Sequence, residues 1–82
     1  MCETTIVNSY SDVPKDERCI FVTLGRKDEV VRQGNRVIVS VNPEALSDRL
    51  AEIVLRIAVE SAKIIAARER MSAIYVCNSI HC

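Results

Sequence analysis

The sequence predicts an α+β protein, a small antiparallel β-meander of three to five strands packed on one long α-helix in the C-terminal half. Three observations predict it. Residues 19–24 are rich in β-branched and aromatic side chains, Gly34-Asn35 separates two aliphatic runs, and residues 44–70 contain neither Gly nor Pro.

The elements follow in order. Thr4-Thr5-Ile6-Val7 has the composition of a short edge strand, and Ser9 to Arg18 is a polar loop in which Pro14 keeps Val13 out of the helical region. Cys19-Ile-Phe-Val-Thr-Leu24 is a strand by composition. Gly25-Arg26-Lys27-Asp28 forms a turn. Residues 29–33 and 36–41 flank Gly34-Asn35, a two-residue hairpin loop of the type that needs glycine at its first central position, where φ is positive. Pairing across that loop sets Val30 opposite Val39 and Val31 opposite Ile38, so both faces of the ribbon carry aliphatic side chains.

Asn42-Pro43-Glu44 is a helix start: Asn42 suits the cap, Pro43 the first helical position, and Glu44 and Asp48 the positive end of the helix dipole. The helix is expected over 43–70, with Arg68 and Arg70 near its C-terminus. Ala73 to Cys77 returns as a final strand. The domain reading is a single unit over 1–82, divided into an N-terminal strand and loop (1–18), the meander (19–41), the helix (43–70) and the last strand (73–77).

Along the helix, Arg49, Glu52, Arg56, Glu60, Lys63 and Arg70 fall on one charged stripe at spacings of three, four and seven. The rest is apolar and divides into two flanks. Leu50, Ile53, Val54, Ile57 and Ile64 form one; Leu55, Val59, Ala62 and Ala66 form the other. An ordinary surface helix has a single apolar stripe a little over about 100° wide, so this one calls for a second packing partner. A 28-residue helix would also span roughly 42 Å, more than the roughly 30 Å diameter of so short a domain. Both arguments favour a homodimer, and the small side chains of the second flank, beside Ala58, assign its interface to Leu55, Val59, Ala62 and Ala66.

Composition narrows the function classes. Eleven basic and eleven acidic residues cancel, without the basic excess of a nucleic-acid module, and near-neutral charge eases association. No run of 18 apolar residues is present, so no membrane span is expected, and Met1-Cys2-Glu3-Thr4-Thr5 does not have the pattern of a signal peptide. The four cysteines then point to free thiols in a cytoplasmic protein. Cys77 and His81 have a metal-ligand spacing, with Cys82 adjacent and Cys2 and Cys19 elsewhere. One such spacing does not make the paired set that zinc requires, so no metal, cofactor or catalytic residue is assigned. Two glycines, Gly25 and Gly34, cannot build a phosphate-binding loop.

The leading expectation is a non-enzymatic protein-interaction or regulatory module, with another protein as partner. The composition is also that of accessory or virus-encoded modulators. Arg26, Lys27, Arg32 and Arg36 around the hairpin are the candidate partner surface. A nucleic-acid-binding dimer using the same basic hairpin is the alternative, disfavoured because Asp28 and Glu29 interrupt the patch and no aromatic series accompanies it. A small cysteine-dependent enzyme comes third.

Overall fold

The computed structural model describes residues 3–42 and 48–77. It contains β1 (Glu3–Ile6), a single 3-10 turn (Tyr10–Asp12), β2 (Cys19–Leu24), β3 (Glu29–Gln33), β4 (Arg36–Val41), α1 (Asp48–Glu69) and β5 (Ala73–Cys77). The α+β class, the five strands and the long helix in the C-terminal half agree with the sequence reading. Residues 43–47, which hold the expected helix start, lie outside the described residues, as does the tail 78–82.

The strands form one sheet in the order β1-β5-β2-β4-β3. Only β3 and β4 pair antiparallel, with Val30 on Val39 and Val31 on Ile38 as the hairpin register requires. Gly34 holds φ at +57° in the loop between them. The other three pairings, β1 with β5, β5 with β2 and β2 with β4, are parallel. The antiparallel meander expected over 19–41 is therefore confined to one hairpin. The physical reason lies in β2: Cys19, Ile20, Phe21 and Val22 are all buried, so this strand is covered on both faces. Continuous apolar runs are the mark of central parallel strands, whereas one-sided antiparallel strands alternate. β5 repeats the pattern, with four of its five residues buried.

The chain leaves β2 and crosses the end of β4 to reach the outer edge, so residues 25–28 form a bridge over two strand spacings, roughly 9.6 Å. Asp28 fixes that bridge by accepting a hydrogen bond from the Asn42 backbone N–H at 2.7 Å. Gly25 donates its own N–H to the Val41 carbonyl at 2.7 Å.

α1 covers one face of the sheet. Leu55, Ala62 and Ala66 are buried there in one cluster with Ile20, Val22, Val37, Ile74 and Val76, and Val59, Ala58 and Ile65 pack at its margin. Alanine at 62 and 66 lets the helix axis approach its own sheet closely. The helix ends where Arg70 takes a φ of +54° and the Met71 N–H reaches back to the Ala66 carbonyl at 3.0 Å. At about 1.5 Å per residue the 22 described residues span roughly 33 Å, which matches the 34 Å long axis of the molecule. The two-turn overhang expected for 28 residues is absent over this span.

The opposite face is covered by the segment after β1. Val13 is buried against Cys19, Phe21 and Cys77, with Val7, Ile38 and Tyr75 around them. A polar frame holds this segment down. Tyr75 donates its hydroxyl to the Glu17 carboxylate at 2.7 Å, which pushes the Tyr75 pKa up to about 12. The Ser72 N–H bonds the Arg18 carbonyl at 2.7 Å, and the Tyr10 ring meets Phe21 edge-on at 5.0 Å.

On the helix side, Arg32 at the sheet edge grips Glu69 through two hydrogen bonds of 2.5 and 2.8 Å. The guanidinium holds the Glu69 carboxyl below its ordinary value of 4.5, first through the hydrogen bond and then through its charge. A carboxyl whose pKa is depressed by folding adds stability above its unfolded pKa and loses it as the pH falls through the folded value. Glu69→Gln is therefore expected to melt below the parent chain at neutral pH, with the gap closing below the ordinary carboxyl range. Added salt should narrow the neutral-pH gap. Thermal melts at both pH values and two ionic strengths check this.

Candidate functional site

α1 presents two apolar flanks, and the structure assigns each a different role. Leu55, Ala62 and Ala66 are buried in the chain's own core, and Val59 lies half-buried beside them. They are occupied by the chain's own core, which leaves little of that flank for the dimer contact expected there. The other flank faces solvent. Leu50, Ile53, Ile57 and Ile64 are between 43 and 60-odd percent exposed, the largest value being 62% at Ile64. At about 100° per residue these four cluster on the ridge of the helix that points away from the sheet. Arg68 shares that ridge and Glu60 borders it on the side of the charged stripe, and both are exposed.

The charged stripe runs along the side of the helix toward β1. Arg56 approaches Glu52 at 4.0 Å and Lys63 approaches Glu60 at 3.0 Å, both well exposed and each contributing little to stability. Below this stripe α1 stops short of β1 and leaves an open groove of about 450 Å³. Thr4, Ile6, Leu55, Val59 and Val76 line it, with Glu52 and Arg56 at the rim.

The basic residues of the hairpin do not form one patch. Arg26 and Lys27 sit on the bridge at the end of the sheet where β2 and β4 finish. Arg36 begins β4 and pairs with Cys19 at the opposite end, five residues or roughly 17 Å away along the strand. Arg32 and Arg36 are also engaged within the chain. Arg32 holds Glu69. Arg36 donates to the Tyr10 hydroxyl at 2.9 Å and to the Pro14 carbonyl, and lies over the Tyr10 ring at 5.3 Å. Their charge serves to fasten the N-terminal segment and the helix end to the sheet. Sequence reasoning missed this because both arginines find their partners more than 20 residues away.

The cysteines also separate. Cys19 is a free thiol, fully buried. Burial pushes its pKa up, with Arg36 pulling it down and Glu17 adding to the rise. A nucleophilic thiol requires the reverse. Cys19 is expected to resist alkylation in the native chain and to react on unfolding, which an iodoacetamide mass shift with and without denaturant will show. Cys77 is disulfide-bonded. The expectation of free thiols holds at Cys19 and fails at Cys77. Cys2, His81 and Cys82 lie outside the described residues, and among the described residues no group of three or more His, Cys, Asp or Glu is arranged to hold a metal ion. Among them, too, no helix is long and apolar enough to cross a membrane.

Comparison with protein families, with curated proteins and with solved structures gives no match.

Proposed function

We propose that this protein is a non-catalytic binding module that works as a homodimer and acts by binding another protein. The observation that supports self-association is the outer ridge of α1, where Leu50, Ile53, Ile57 and Ile64 stand in solvent on a helix whose other apolar flank is already packed on the sheet. Scattered exposed aliphatics are ordinary on a protein surface; a line of four along one ridge is the pattern that marks a contact surface. Near-zero net charge removes the repulsion that would oppose pairing.

For the second partner, Arg26, Lys27 and Arg32 are the exposed members of the basic set, and Arg32 is already engaged by Glu69. The nucleic-acid alternative gains no support from this arrangement, because phosphate contacts need several cations on one face and these are divided between two ends. The cytoplasmic location expected from free thiols is weakened by the disulfide at Cys77, since disulfides persist chiefly in oxidising compartments.

Light scattering over a concentration series tests the reading. The expected mass rises toward twice the chain mass of 9.2 kDa at high micromolar concentration. A single-chain mass throughout contradicts it.

A further inference from the structure

We infer that two copies pair through α1 in antiparallel order, about a two-fold axis level with Ala58. This deepens the homodimer reading and rests on it. Leu50, Ile53, Ile57 and Ile64 recur at intervals of three, four and seven, the seam of a helix that packs against another helix. In an antiparallel pair centred on Ala58, residues equally far from the centre on opposite sides come level. Ile53 then meets Ile64 of the partner subunit, Leu50 lies between the partner's Ile64 and the partner's Ala67, and the two Ile57 side chains flank the axis. Each of these matches holds within about 3 Å of axial height at about 1.5 Å per residue.

Charge decides between the two possible directions. In an antiparallel pair each flank of the seam meets the same flank of the other copy. The flank toward β1 carries Glu52, Arg56, Glu60 and Lys63, all exposed. Centred on Ala58, Arg56 comes level with the partner's Glu60, and both stand next to the seam. The two-fold axis repeats this contact, so two opposite-charge contacts border the seam. A parallel pair instead sets this flank against the other one, where Val54 and Ser61 stand level with Arg56 and Glu60 and offer no opposite charge. Flanking charges set orientation in helix pairs even where they add little affinity.

Cysteine cross-linking of the full chain reads the direction. Variants Leu50→Cys, Ile53→Cys, Ile57→Cys and Ile64→Cys are oxidised singly and in mixtures beside the parent chain, and linked peptides are identified by mass spectrometry. Facing positions on packed helices bring Cα atoms within the roughly 4.4–6.8 Å that a disulfide spans. The expected result is a covalent dimer from Ile57→Cys alone and from Ile53→Cys mixed with Ile64→Cys. Leu50→Cys alone gives none, because its two copies lie about 24 Å apart along the axis. Homodimers linked through Leu50→Cys or Ile64→Cys alone would mean parallel helices and overturn the inference. A dimer by light scattering that yields no link from any variant overturns this pairing and leaves self-association standing; a monomer by light scattering removes both.

Discussion

Ala62→Glu is expected to abolish cooperative folding. Ala62 is fully buried on the inner side of α1, in the same cluster as Ile20 and Ile74, the two largest completely buried side chains. A glutamate there has neither room nor partner, since no charged or polar residue is buried among the described residues. Placing an unpaired carboxylate in such a site costs several kcal/mol even after relaxation. A chain of this length has roughly 4–12 kcal/mol of stability in total. Circular dichroism should therefore show a broad, shallow loss of signal in place of a melting transition. A variant that folds normally but becomes monomeric would return Ala62 to the dimer interface and reverse the assignment of the two flanks.

Ile57→Glu is expected to do the opposite, leaving the fold intact and dissociating the dimer. Ile57 is 60% exposed in the single chain, so the substitution removes little of the core, and glutamate is at least as good a helix former as isoleucine. In the paired form two copies lie near the axis, and each dimer loses two buried aliphatic side chains and gains two like charges. At about 1.5 kcal/mol for each, the lower end for a buried aliphatic, the loss is roughly 3 kcal/mol. That corresponds to a dissociation constant raised by about two orders of magnitude. Sedimentation velocity gives the constant, and the melting midpoint at low concentration should be unchanged. Pairing as tight as in the parent chain would clear the ridge of any role.

These two substitutions also show how far the sequence could be read. The hairpin was legible because Gly34-Asn35 specifies a turn and the turn specifies the register of Val30 on Val39. The helix was legible because nothing from 48 to 69 opposes it. Strand order was not. The runs Cys19–Leu24 and Ala73–Cys77 carried the signal of strands buried on both faces, but each reads simply as a strand until something is placed above and below it. The segment that covers the second face looked like a polar loop, and only Val13 within it enters the core.

The two flanks of α1 were recognised as apolar, but which of them packs on the chain's own sheet was not legible. Small side chains permit close approach to a sheet as readily as to a helix, and composition does not distinguish the two. A clue was present in size: the bulkier ridge of Leu50, Ile53, Ile57 and Ile64 would hold the helix further from the sheet than Ala62 and Ala66 do. For the basic residues no local signal existed. Arg32 and Arg36 look like a surface patch until Glu69 and Tyr10 are brought to them by the fold.

The measurement that bears most directly on the association ridge is a dilution series followed by two-dimensional NMR. Concentration-dependent shifts are expected at Leu50, Ile53, Ile57, Glu60 and Ile64, with Leu55, Ala62, Ala66, Arg26 and Lys27 stationary. Shifts centred on the hairpin, or a spectrum that does not change with concentration, would contradict it.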